Sequence, residues 1–163
     1  MRALNKFTLS FLAIMAASTE QVFAQECDVT LTESNRNVGY LITLKSKTKD
    51  TRIITLEATC PRSSQLVVSI EGELGDAGLF AQTGPLNVRL SHTQLDGRYV
   101  DLAQPRSSKA PRGAYASSVM AVPGDLIIPI VSGRPVKGRV LTMQIEVSAV
   151  KADGLLSFLV NGY

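Results

Sequence analysis

Metal and histidine chemistry have little to build on in this sequence. It holds 1 histidine and 2 cysteines in 163 residues, whereas protein zinc sites draw mostly on clustered Cys and His ligands. No metal and no cofactor is expected. Charge of one sign is equally scarce. With 17 basic against 14 acidic residues the net is +3, and the basic residues are dispersed, which argues against a dedicated nucleic-acid binder. The 7 prolines and 12 glycines are too few for a collagenous or low-complexity chain. Beyond residue 24, no segment is long and apolar enough to span a bilayer. None there pairs an amphipathic helical period with a capping signal. The length suits about one domain.

The first 24 residues read as a secretory signal peptide. Arg2 and Lys6 supply the positive start, Phe7 to Ala17 the apolar stretch, and Val22-Phe23-Ala24 the cleavage region. This is the pattern of an exported chain. Cleavage after Ala24 leaves residues 25–163 as a single domain. Export makes the cysteines legible, because an oxidising compartment favours joining an isolated pair. Cys27 and Cys60 are therefore expected to form a disulfide, worth roughly 3–4 kcal/mol by chain entropy.

The dominant period in the remaining chain is two. Apolar and polar residues alternate in Ile54–Cys60, Leu66–Glu71, Leu86–Ser91, Leu141–Ala149 and Leu156–Asn161. Each run is the signature of a strand with one face on a core. Turn signals separate them: Thr83-Gly84-Pro85, Asp96-Gly97, Val122-Pro123-Gly124-Asp125, Ser132-Gly133-Arg134-Pro135 and Ala152-Asp153-Gly154. Asp96-Gly97 is a hairpin candidate. Gln104 to Ser118 reads as an exposed loop. Short strands at this spacing predict an all-β, antiparallel β-sandwich.

Candidate chemistry is sparse. His92 follows the run ending at Leu90, which places it at a strand end facing solvent. A catalytic triad needs a nucleophile and an acid arranged around it, and no local motif marks one. Gly72, Gly75 and Gly78 sit in an acidic segment without the lysine and helix of a phosphate loop. They read as a loop, and Glu73 with Asp76 is too poor in ligands for a calcium site. An enzyme is not expected. Lys45, Lys47 and Lys49 would share one face of a strand, with Arg52 nearby. These four are candidates for a receptor or other surface contact. Protection of a sheet edge against unwanted pairing is the commoner role for such lysines.

The ends carry the most specific pattern. Glu26-Cys27 opens the first strand and Cys60 follows at a distance. Arg62 to Val68 feeds the next strand, and Met143 to Tyr163 reads as a closing hairpin with an Asp153-Gly154 turn. This layout resembles subunits of bacterial chaperone–usher fimbriae, most closely the Afa/Dr adhesin type.

The resemblance implies an immunoglobulin-like antiparallel sandwich, incomplete for want of its last strand. It implies donor-strand complementation, in which a periplasmic chaperone and then another fimbrial subunit supplies the strand, with the outer-membrane usher as a further partner. Main-chain bonds along an open edge and alternate side chains in the core would hold that strand. The acceptor groove would lie beside the last strand, at Leu156, Phe158 and Val160. Export would run through the periplasm to the cell surface, and the function implied is adhesion to host cells through a host-cell receptor. Members of this kind that donate a strand carry a longer extension before the first cysteine. Cleavage after Ala24 leaves only Gln25 and Glu26, too short to span a neighbour's groove. A tip or minor subunit is the expectation. The alternative is a self-complete secreted β-sandwich that binds a ligand as a monomer, with Leu155 to Tyr163 pairing Arg139 to Val150.

Overall fold

The computed structural model describes residues 24–39, 41–44, 50–74, 86–105, 114–149 and 154–163. Its strands, in chain order, begin with β1 (Gln25–Glu26), β2 (Asp28–Glu33), β3 (Arg36–Gly39), β4 (Leu41–Leu44) and β5 (Asp50–Leu74). Then come β6 (Leu86–Leu95), β7 (Arg98–Tyr99), β8 (Asp101–Ala103), β9 (Tyr115–Ala116) and β10 (Val119–Ala121). The last are β11 (Leu126–Val131), β12 (Arg134–Pro135), β13 (Lys137–Ala149) and β14 (Gly154–Gly162). Every pairing is antiparallel. Among the described residues there is no helix. The protein is all-β, a curled antiparallel sheet with one disulfide.

β5 organises the whole. The runs Ile54–Cys60 and Leu66–Glu71, which read as separate strands in the sequence, belong to this one 25-residue strand. Its first half lies between β13 and β2, and its second half between β14 and β11. The inward parity never changes. Ile54, Leu56, Ala58 and Cys60 are buried, and so are Leu66, Val68 and Ile70. Pro61, Arg62 and Ser63 between them are exposed. There the ladder to β13 shifts register, between Gly138 and Val140. Proline has no N–H to give a ladder, so this break is where a long strand can bend and change partners. Gly138 is required at the bend, because a Cβ there would lie 2.4 Å from Leu95 Cγ.

One apolar cluster joins the inner faces of both halves. It includes Leu31, Ile54, Leu56, Ile70, Ile145 and Phe158. Alternate residues of β13 (Leu141, Met143, Ile145, Val147) and of β14 (Leu156, Phe158, Val160) point into it, each at most 1% exposed. Burial of this much apolar surface is the main force holding the sheet curled.

Several local expectations are met and several are corrected. Asp96 and Gly97 have φ of 51° and 77°, the two positive angles of a type I′ hairpin turn, and join β6 to β7. Asp96 also accepts hydrogen bonds from the backbone N–H groups of Arg139 and Val140 at 2.9–3.3 Å. Ser132 and Gly133 make the corresponding turn from β11 to β12, with φ of 51° and 77°. The closing hairpin Met143–Tyr163 does not form. β13 pairs with β5 and β6, and β14 pairs with β5, β4 and β1. Both edges of β13 are already occupied, so the chain crosses to the other half of β5. The pairing of Leu155–Tyr163 with Arg139–Val150 fails for the same reason. Gly72 lies in strand β5 opposite Leu156, not in a loop. Tyr115–Ala116, at the end of the expected Gln104–Ser118 loop, pairs with β8. His92 sits inside β6, not at its end. The ladder to β13 shifts between Thr142 and Gln144 at this point. His92 has φ of 50°, so it is the extra residue of a β-bulge.

Candidate functional site

β14 brings together the residues expected to line a groove. One edge runs beside β5 from Gly154↔Leu74 to Gly162↔Leu66. The other edge is covered in two pieces. β4 pairs with Gly154–Ser157, and β1 pairs with Asn161 and Gly162. A single backbone bond, Cys27 N–H to Val160 O at 3.0 Å, extends the β1 contact.

The two pieces arise because the chain changes layers. After Cys27 it leaves β14, runs along the first half of β5 as β2, turns at Ser34-Asn35 and returns as β3 and β4. Ser34 and Asn35 have φ of 48° and 62°, the left-handed values of a tight hairpin turn. Where the chain crosses, an open depression of about 500 Å³ lies between Glu26–Val29 and Phe158–Val160. Leu156, Phe158 and Val160 themselves are 0–1% exposed, their side chains turned into the core. Leu159 faces the other way and is half-buried.

The crossing is fastened at both ends. Cys27 and Cys60 are disulfide-bonded, with 4.3 Å between their Cα atoms, which ties the start of β2 to the middle of β5. At the far end, Arg52 donates to both carboxylate oxygens of Glu33, its Nε–H reaching Oε1 at 2.7 Å and an Nη2–H reaching Oε2. Its Nη1–H donates to the carbonyl of Thr43 at 2.9 Å. One guanidinium thus joins β2, β4 and β5. A forked guanidinium–carboxylate pair is the strong form of such a contact.

The Arg52 hydrogen bonds hold the Glu33 carboxyl below its ordinary range. Partial burial opposes that shift and the guanidinium charge adds to it. A lowered native pKa stabilises the fold above the ordinary glutamate range, and the stabilisation is lost as pH falls through the native value. The pair is part-exposed, so solvent limits it to about 0.5–1 kcal/mol. Glu33→Gln is expected to lower the urea midpoint at pH 7, and the gap to wild type should narrow at acid pH, as the pH falls below the ordinary glutamate range. Unfolding curves at pH 7 and at acid pH check this; a gap that is unchanged at low pH would show that charge is not its source.

Arg52, a candidate surface contact, is therefore placed in intramolecular bonds. Lys45, Lys47 and Lys49 lie outside the described residues, as do Gly75, Asp76, Gly78 and residues 1–23, which hold most of the expected signal peptide. His92 is exposed, with Nδ1 hydrogen-bonded to Ser91 Oγ at 3.1 Å. No cluster of three or more His, Cys, Asp or Glu suited to a metal occurs among the described residues. Comparison with protein-family models, with curated proteins and with solved structures finds no match.

Proposed function

We propose that this chain is an exported subunit of the chaperone–usher fimbrial kind, with an immunoglobulin-like sandwich that receives a partner's strand along β14. The observation that carries the reading is the composition of that edge. A strand with a continuous apolar inner face is covered on one side only by two short pieces, β1 and β4, with an open depression between them. Short, divided edge pairing has few backbone bonds to lose. An incoming strand can displace it and gain an unbroken ladder, with its alternate side chains entering the same core. Entry starts at the depression, beside Phe158–Val160. In this reading the lender is first a periplasmic chaperone and then another fimbrial subunit, the usher exports the assembly to the cell surface, and the chain serves host adhesion from a tip or minor position.

A second reading, a self-complete exported sandwich acting alone, has one specific observation in its favour. Leu156, Phe158 and Val160 are already buried without any partner.

One experiment separates the two. Residues 25–163 are produced in a periplasm with and without a chaperone–usher chaperone. The product is then incubated with a synthetic peptide copied from a fimbrial donor extension. Strand acceptance predicts chaperone-dependent yield and a melting temperature that rises with peptide concentration by mass action. It also predicts slower amide exchange in β14 and faster exchange in β1 and β4. Equal yield without chaperone, and no shift with peptide, would leave the self-complete reading standing.

A further inference from the structure

A second depression, of about 470 Å³, lies away from β14. Its wall comes from the β6 bulge and from the segment after the β6–β7 turn. Ser91, His92 and Thr93 line it on one side, and Tyr99, Val100 and Asp101 on another. The bend at Ser117-Ser118, Ile130 and Val131 at the end of β11, and Ser132 of the following turn close the rest. The volume falls within the range of small-ligand sites.

Its lining is mixed: Val100, Ile130 and Val131 give it apolar wall beside a set of hydroxyl-bearing residues. Ser91, Ser117, Ser118 and Ser132 bring hydroxyls, each able to donate and accept. Asp101 adds a carboxylate with acceptors for two neighbouring hydroxyl groups. Tyr99 is 72% exposed, an aromatic ring left in solvent beside polar groups. Among the described residues no lysine or arginine lines the depression, which disfavours an anion. A quaternary ammonium is recognised by a cage of several Trp, Tyr or Phe rings, and among the described lining residues Tyr99 is the only one of these.

Two further observations mark the place. The Thr93 side-chain oxygen is buried and has no hydrogen-bond partner among the described residues. Unpaired buried polar groups cost stability and are rare. His92 and Ser132, both lining residues, hold φ of 50° and 51°. The bulge turns Ser91 and His92 toward the same space that Tyr99 borders.

We propose that this depression binds a neutral saccharide, a sugar ring whose apolar face rests on Tyr99 and whose hydroxyls bond to Asp101 and the serines. The site does not depend on strand acceptance by β14, and its failure would leave that reading untouched.

The test uses the purified 25–163 chain and saturation-transfer NMR. The probes are the methyl glycosides of galactose, glucose, mannose and N-acetylglucosamine, with inorganic phosphate and tetramethylammonium as counter-probes. At least one glycoside should receive saturation. Tyr99→Ala and Asp101→Asn should each weaken it by about tenfold or more, with melting temperatures unchanged. Ile53→Ala, an exposed apolar position on β5, should leave binding intact. The proposal is overturned if no glycoside binds, or if binding survives both site variants. It is equally overturned if phosphate or tetramethylammonium binds in place of the sugars and is lost with those variants.

Discussion

Phe158→Asp is expected to abolish accumulation of the folded chain, while Leu159→Asp, one residue along, is expected to be tolerated. Phe158 is 1% exposed and stands opposite Ile70 in the ladder to β5. Removing its ring alone, as in Phe158→Ala, costs ~3–5 kcal/mol. That is much of the ~5–15 kcal/mol by which a typical domain is stable. An aspartate at the same position adds an unpaired carboxylate in an apolar surround, which costs further or forces protonation. Leu159 has the opposite parity, pairs with Ser69 and is only half-buried, so a charge there can reach water. Period two makes the contrast sharp, since neighbouring residues on a strand face opposite sides. The measurement is periplasmic yield of the two variants, with urea midpoints for those that accumulate. Equal yield of Phe158→Asp and wild type would remove Phe158 from the core. The contrast holds for a strand acceptor and for a self-complete fold alike, so it tests the inner face of β14 independently of any partner.

Faces were legible in the sequence where parity was unbroken. In β5, β13 and β14 the alternating residues named the buried set, and the structure buries Leu156, Phe158 and Val160 as that pattern requires. Partners were not legible. A period of two says which side of a strand is apolar but not which strand lies beside it, because pairing is decided by contacts far apart in the chain. This is why β13 and β14, consecutive and well patterned, read as a hairpin although each pairs with a different half of β5. The length of β5 was hidden by Pro61-Arg62-Ser63, whose polarity resembles a loop. The His92 bulge did leave a trace: inward residues are Val88 and Leu90 before it and Thr93 and Leu95 after it. A change from even to odd parity inside one strand requires an extra residue. The Arg52–Glu33–Thr43 bonds left no such trace, since no local spacing rule joins residues on three strands. The same holds for the depression at Tyr99 and Asp101, which is assembled from separate segments. Single hydroxyl-bearing residues scattered over a chain announce nothing until the fold gathers them.

Breaking the Cys27–Cys60 bond should cost roughly 3–4 kcal/mol and should act first at the β14 edge. The bridge closes a loop with a sequence separation of 33, and the chain-entropy cost of an open loop of that size gives this magnitude. Cys60 is fully buried and Cys27 is 5% exposed, so replacement by serine would add a buried hydroxyl to the loss. The double variant Cys27→Ala with Cys60→Ala avoids that and reports the crosslink together with a small packing term. Position decides where the loss appears. Cys27 is both the residue that bonds Val160 and the residue at which the chain leaves β14 for the other half of the sheet. Without the bridge, β1 is held by a short stretch of backbone bonds to β14 and by the Gln25 side chain's hydrogen bonds to Arg62 and Ser64 of β5. Short edge segments held by so few bonds open at low free energy. Amide exchange in Gln25–Cys27 should therefore quicken well before the core of β5 and β13 responds. Urea unfolding with and without reductant, the double alanine variant, and exchange measured by mass spectrometry together check the expectation. Two thiols that alkylate without reduction, or a urea midpoint indifferent to reductant, would remove the bridge from the account of stability. Faster exchange spread evenly over β5 and β13 would instead show that it braces the whole sheet, not the β14 edge.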